Sequence, residues 1–283
     1  MKLFRYGPPS QEKPGIMRGE QRHDVAAFGE DYTEAFFEND GLRRLAEFVR
    51  AHGSSLPVVA VTERLGPPVA RPSKIVCIGL NYSDHVREMG LPLPTEPVIF
   101  LKSTTALVGP YDDIILPRNS VKTDWEVELA VVIGRRASYV TEAEAADYIA
   151  GYALHNDVSE REFQLERGGT WTKGKGCDTF APLGPLLVTP DELGDPANLR
   201  LWLTVNGQPR QHSTTANLIF KVPFLISYVS QFMTLLPGDV ISTGSPAGVG
   251  MGLQPPQYLK PGDVVELGID GLGASRQVVR AFA

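Results

Sequence analysis

The stretch TDWEVELAVVIG, residues 123–134, constrains this chain more than any other. Leu129 to Ile133 are apolar at every position, the pattern of a strand covered on both faces. Side chains on a strand alternate, so Asp124, Glu126 and Glu128 share one face, and Trp125, Val127 and Leu129 the other. Two carboxylates about 7 Å apart at the mouth of an apolar strand repel each other. By itself the pair also fits a solvated strand face. The apolar run that follows points inward instead, where a carboxylate costs several kcal/mol unless it is paired or bound to a metal. A third acid, Asp157 in LHNDVSERE, falls at another predicted strand end just ahead of a predicted helix. Three carboxylates from two strand ends suit a hard divalent cation, Mg²⁺ or Mn²⁺, better than Ca²⁺, which takes more protein oxygens.

The rest of the chain predicts a β-rich α+β protein. Gly and Pro number 28 and 23 in 283 residues, favouring tight turns and short strands over a helical bundle. Residues 1–70 read as a small α+β domain, with strands in MKLFRY and KPGIMRG and a helix in LRRLAEFVRAHG that Gly53 stops. A Pro-rich linker, Arg64 to Lys74, leads into a larger domain over residues 71–283. There, KIVCIGL, EPVIFLK, WEVELAVVIG, GYALHNDV, LRLWLTVNG, DVISTG and DVVELGI read as strands. Helices are expected in VTEAEAADYIA, in SEREFQLERGG with Ser159 and Glu162 as a capping box, and in FKVPFLISYVSQFMTL, apolar nearly all round and expected to be buried.

The net charge of −6 argues against general nucleic-acid or anionic-membrane binding. Two cysteines, Cys77 and Cys177, imply neither a disulfide scaffold nor a thiolate metal site. The N-terminal residues lack the apolar core of a signal peptide, so the expectation is a cytoplasmic protein. Two glycine-rich runs fail as nucleotide sites. GTWTKGKG lacks the terminal Ser or Thr of a P-loop and follows a helix instead of preceding one. GVGMG runs into LQPPQY, which cannot open a helix.

Six ordered motifs, GLNYSDHVREMG, PVIFLKSTTALVGPYDDI, TDWEVELAVVIG, NDVSEREFQ, WTKGKGCDTFAPLGP and LLPGDVISTGSPAGVG, closely resemble the fumarylacetoacetate hydrolase family from about Lys74 onward. The resemblance implies a mixed β-roll or β-sandwich catalytic domain, a common homodimer, and Glu126, Glu128 and Asp157 holding Mg²⁺ or Mn²⁺. It implies Lys175 as the active-site lysine; three carboxylates, one divalent cation and that lysine sum to zero, so Arg161, from the predicted helix after Asp157, could make the site positive enough for an anionic 2-oxo acid. His85 and Glu88, spaced i, i+3, could form an exposed pair of little consequence. The resemblance makes them a dyad on a mobile lid, in which Glu88 orients His85 and His85 takes a proton from water. Gln164 matches a glutamine that latches the lid, and backbone donors near Thr243 and Gly244 would help bind the oxyanion. The implied reaction is hydrolysis of a C–C bond in a 2,4-dioxo acid, releasing pyruvate. Sugar-derived diketo acids of the L-rhamnonate or L-fuconate type are among the substrates. Oxaloacetate decarboxylation, 2-oxo-enoate hydration or isomerisation, and ureidoglycolate lysis are the alternatives on the same fold. A metal-stabilised binding protein without turnover is a further alternative, disfavoured by the intact set of catalytic residue types.

Overall fold

The computed structural model describes residues 1–282. Two sheets carry the fold. A ten-stranded sheet runs, edge to edge, through Gln21–Asp24, Lys13–Arg18, Lys2–Tyr6, Leu187–Val188, Ile149–Asn156, Val127–Ile133, Val240–Ser242, Ile75–Gly79 and Val98–Lys102, with Leu65–Gly66 pairing beside Lys2–Tyr6. A five-stranded sheet contains Gln208–Thr214, Arg200–Val205, Val264–Ile269, Gly273–Ala281 and Ile114–Leu116. The first sheet is mixed: Val240–Ser242 pairs antiparallel to Val127–Ile133 and parallel to Ile75–Gly79. The N-terminal strands are hydrogen-bonded into this sheet, with Lys2 opposite Val188 and Leu3 opposite Leu187. Leu3, Ile16, Phe36 and Leu45 share one apolar core with the strands of the larger region.

The strand Val127–Ile133 lies inside the large sheet, and all seven residues are buried. Its apolar run on both faces follows from that position, and each buried Val, Ile or Leu contributes roughly 1.5–3 kcal/mol. Regular pairing starts only at Val127. Trp125 and Glu126 form an interruption between this strand and the short Thr123–Asp124 pair partner of Ser159–Glu160.

Register brings the acids together. Val127 lies opposite Asn156 and Glu128 opposite His155. Asp157 is the next residue beyond that strand, and its backbone N–H donates to the Glu126 carbonyl at 2.9 Å. Both strand ends therefore open at one place.

Three local expectations differ. VTEAEAADYIA contains only a short 3-10 turn, Ala145–Tyr148, before Ile149 enters its strand. The Ser159–Glu162 capping box does not form. Ser159 and Glu160 pair as strand, Ser159 Oγ donates to the Asp157 carbonyl, and the turn Glu162–Glu166 is a π-helix. Its widened turn packs against Thr172–Lys175. A Cβ at Gly174 would come within 2.3 Å of the Glu160 carbonyl oxygen, so only glycine allows that approach. The helix Val222–Ser230 is not buried all round. Phe224 and Tyr228 are half-buried, continuing a stacked aromatic row from Phe220 that ends at exposed Phe232. In the N-terminal region the helix runs Gly41–His52 as expected, but Gly53 keeps a right-handed conformation and leads into a 3-10 turn instead of stopping the chain.

Candidate active site

Glu126, Glu128 and Asp157 each bring a carboxylate oxygen to within 4.8 Å of the others, and all three are buried. A cluster of this kind folds only if its charge is compensated. Lys175 Nζ donates to Glu126 Oε2 at 2.7 Å and to Asp157 Oδ2 at 2.8 Å. Arg161 bridges Asp124 and Glu126, with Nε to Asp124 Oδ2 at 2.9 Å and Nη2 to Glu126 Oε1 at 2.6 Å. Lys102, fully buried, donates to Asp157 Oδ1 at 2.5 Å and to the Val158 carbonyl at 2.9 Å.

Glu128 has no cation at hydrogen-bond distance. Its Oε2 accepts from Ser242 Oγ at 2.5 Å and from the Gly244 N–H at 2.9 Å. Burial, then the charges of Asp157 and Glu126, push its pKa well above the ordinary carboxylate range. Burial opposes ionisation of Glu126 as well, but Arg161 and Lys175 overcome it and hold its pKa below the usual value. For Asp157 burial is likewise outweighed, by Lys102 and Lys175, and the pKa is depressed. Four acids, Asp124, Glu126, Glu128 and Asp157, thus face three cations, Lys102, Arg161 and Lys175. Protonated Glu128 balances the cluster without a metal. Ionised Glu128 with a divalent cation leaves one net positive charge, suited to an anionic ligand. The donor set, all oxygen, fits Mg²⁺ or Mn²⁺.

His155, which pairs opposite Glu128, hydrogen-bonds Ser242 Oγ at 2.6 Å and has its pKa lowered to about 3 by burial. It is a neutral second support for Ser242, and its Nε2 is buried without a partner.

The acids open into a cavity of about 220 Å³ that His85, Arg161, Gln164, Lys175 and Ser245 also line. His85 lies on the helix Ser83–Glu88 and is buried. Its Nδ1 is 3.1 Å from Glu88 Oε2, and Glu88 Oε1 accepts from the Gly248 N–H at 2.9 Å. Asp84, on the same helix, accepts from Ser213 Oγ and from Asn217 Nδ2. The helix expected as a mobile lid is thus tied at both ends in this conformation.

Two expected substrate contacts are placed differently. The Thr243 and Gly244 N–H groups donate to the Leu129 carbonyl and to Glu128, so neither faces the cavity as an oxyanion donor; neighbouring Ser245 lines it instead. Gln164 is buried, not solvent-facing, and accepts from Arg161 Nη1 at 3.1 Å, bracing the guanidinium instead of the helix of His85. Lys173 is exposed and bonds the Arg167 carbonyl, outside the cavity. Cys177, beside Lys175 in sequence, has its thiol pKa pushed up to about 11 by burial and is no activated nucleophile. Sequence reasoning missed Lys102, and it placed Asp124 on the face of the two glutamates without giving it the pairing with Arg161. A lysine closing an apolar strand was the available signal for the first, since a strand that enters the core carries its terminal charge with it.

Residues 74–280 match the family described as fumarylacetoacetate (FAA) hydrolase, C-terminal. This chain belongs to that family. A relative from Burkholderia multivorans that bears only a provisional hydrolase name is 54% identical over 283 residues, covering 99% of each chain. The fumarylacetoacetate hydrolase of psychrophilic Exiguobacterium antarcticum is 34% identical with a TM-score of 0.86, covering 100% of both chains. Maleylpyruvate hydrolase from Sphingobium sp. SYK-6, in complex with manganese(II) and pyruvate, is 30% identical with a TM-score of 0.82, again covering 100% of both. As a fumarylacetoacetate hydrolase family member the chain is an enzyme of hydrolase type. Its Glu126, Glu128 and Asp157 form the one group of three or more His, Cys, Asp or Glu side chains among the described residues able to share an ion.

Proposed function

We propose that this enzyme is a Mg²⁺- or Mn²⁺-dependent hydrolase that cleaves the C3–C4 bond of a 2,4-dioxo acid to pyruvate and a second carboxylic acid. The observation that carries the reading is the buried triad Glu126, Glu128 and Asp157 opening into the same cavity as His85. Glu126, Glu128 and Asp157 would hold the cation, which when bound supplies Lewis acidity and neutralises charge building on the substrate's oxygens.

The chain's own residues supply the rest. Glu88 holds His85 Nδ1, which leaves Nε2 as the proton acceptor. His85 takes a proton from water as that water adds to the C4 carbonyl. The C3–C4 electron pair then departs as the enolate of pyruvate, and the proton returns to C3. Water is consumed, and two acids are released. Lys175 and Arg161 place positive charge beside the 2-oxo acid head, and Gln164 fixes the guanidinium plane. Ordered bonding of His85 to Glu88 supports hydrolysis over decarboxylation, which needs no activated water.

The ligand in this reading is a small anionic 2-oxo acid, and neither nucleic acid nor membrane is a partner. Among the described residues no helix is long and apolar enough to cross a membrane, which fits action in the cytoplasm. The unpaired edge strand Val98–Lys102, with Leu101 exposed, supports a homodimer that covers it. The test incubates the protein and Mg²⁺ with a panel of 2,4-dioxo acids and identifies both products by mass. Release of carbon dioxide from oxaloacetate with no pyruvate from any dioxo acid would replace hydrolysis by decarboxylation.

A further inference from the structure

The charged and polar side chains lining the cavity are the three acids, Arg161, Gln164 and Lys175, joined by direct hydrogen bonds except Glu128, together with His85 and Ser245. The remaining wall is apolar, and its distinctive members are Leu80, Met89, Leu91, Phe100, Leu165 and Trp171. Phe100 and Trp171 form one surface, with ring centroids 5.1 Å apart, and Lys175 Nζ lies 4.8 Å from the Phe100 ring centre. That surface therefore borders the charged group at Lys175. Its shape depends on Gly79, because a Cβ there would come within 2.7 Å of the Trp171 ring. Leu91 and Leu165, 46% and 44% exposed, continue the wall toward solvent.

Among the described residues no Lys or Arg lines the cavity besides Arg161 and Lys175, and both are already paired with carboxylates. A second carboxylate on the far end of a substrate would lose water against Phe100, Trp171 and the leucines and gain no cationic partner, which is costly. A chain of hydroxyls would meet the same wall, where the Trp171 indole N–H is the one side-chain donor among the described lining residues beyond the charged and polar group, so most of the hydroxyls would go unpaired. A methylene or aromatic tail loses nothing there.

We propose that the substrate is a monocarboxylic acylpyruvate whose acyl group is apolar, an alkyl or aryl chain lying along Phe100, Trp171 and Leu165. This rests on the hydrolase reading and narrows it. It excludes as preferred substrates both dicarboxylates such as maleylpyruvate and the polyhydroxylated diketo acids derived from sugars.

The experiment has two arms. In the first, kcat/KM for pyruvate release is measured with Mn²⁺ on acetylpyruvate, 2,4-dioxooctanoate, benzoylpyruvate, maleylpyruvate and a 2,4-diketo-3-deoxy sugar acid. The expected order rises with the apolar tail, by about fourfold per buried methylene, and places maleylpyruvate and the sugar acid at least tenfold below 2,4-dioxooctanoate. A maleylpyruvate or sugar-acid value equal to or above that of 2,4-dioxooctanoate overturns the proposal. In the second arm, calorimetry with Mn²⁺ compares 2-oxohexanoate with 2-oxoadipate, which differ only in a terminal methyl or carboxylate. Tighter binding of 2-oxohexanoate by tenfold or more supports the apolar tail site, and equal or weaker binding overturns it. This arm decides the tail site even if no dioxo acid is cleaved, an outcome that would refute the hydrolase reading alone. Leu165→Arg, a change at a half-exposed position, is expected to shift the ratio toward 2-oxoadipate, which a merely structural leucine would not do.

Discussion

Replacing Glu128 by Gln separates the demands of the metal from those of the fold. In the metal-free protein Glu128 is buried against Asp157 and Glu126, which raises its pKa and favours the neutral carboxyl, while its Oε2 accepts from Ser242 and Gly244. A glutamine can place its oxygen on the same two donors and turn its NH₂ toward the neighbouring carboxylates. One net hydrogen bond of that kind contributes about 1 kcal/mol, so the variant without metal should be as stable as the parent or about 1 kcal/mol more stable. With metal the order reverses. Loss of groups that merely support a ligand weakens metal binding 10- to 100-fold, so loss of a charged ligand should weaken it by at least about 100-fold. At a free metal concentration a hundred times the parent's Kd, the parent gains about 2.7 kcal/mol and the variant almost nothing. For a chain of this size that is roughly 5 °C in Tm, at about 2 °C per kcal/mol. The assay is thermal unfolding of both proteins, EDTA-treated and with Mn²⁺, alongside calorimetric Mn²⁺ binding. Equal Mn²⁺ affinity in the two proteins, or an EDTA-treated variant several degrees less stable than its parent, would refute the account of Glu128 as a strained neutral acid awaiting a cation.

Other outcomes follow from the same geometry. His85→Ala should lower turnover by about 10² to 10⁴ and leave Mn²⁺ affinity within a few fold, because His85 is not among the clustered acids; wild-type turnover in a steady-state assay would place the base elsewhere. The raised Glu128 pKa means the folded metal-free protein holds a proton that the unfolded chain gives up above its ordinary value of 4.5. Its contribution to stability therefore falls as pH rises from that value toward the raised one. Mn²⁺ should displace the proton, seen as a binding enthalpy that varies with the buffer's ionisation enthalpy near neutral pH; no such variation would mean Glu128 is already ionised. Lys102→Met should cost several kcal/mol by leaving Asp157 short of a buried partner, and chemical denaturation with EDTA present measures it. Light scattering at micromolar concentration should show twice 30.9 kDa, and a species of 30.9 kDa alone would refute the dimer.

The acids that hold the site are legible in the sequence because the apolar run behind them says that this strand end turns inward, although only Glu128 lies in the regular strand and Glu126 sits in the interruption just before it. The family motifs carried His85, Glu88 and Lys175 in the same local way, and the structure brings His85 and Lys175 to the cavity, with Glu88 behind His85. Local signals failed where a neighbour outweighed propensity. Ser159 looks like a helix cap, yet it pairs with Asp124 in a two-stranded ladder because Thr123–Asp124 is placed beside it. Ala145–Ala146 prefers helix, but Ile149 onward is claimed by the sheet.

The sequence by itself determined that three carboxylates would have to be compensated in an apolar setting, which is what makes a divalent cation the expected partner. Which groups compensate them was decided only in three dimensions. Lys102 lies 55 residues from Asp157, and Ser242 lies 114 from Glu128. No periodicity links such partners. They meet because Val98–Lys102, Ile75–Gly79, Val240–Ser242 and Val127–Ile133 are adjacent in one sheet, and strand order is set by the packing of the whole core. The apolar wall of Phe100, Leu165 and Trp171 has the same origin: each residue alone reads as core, and only the fold shows that their shared face is a cavity.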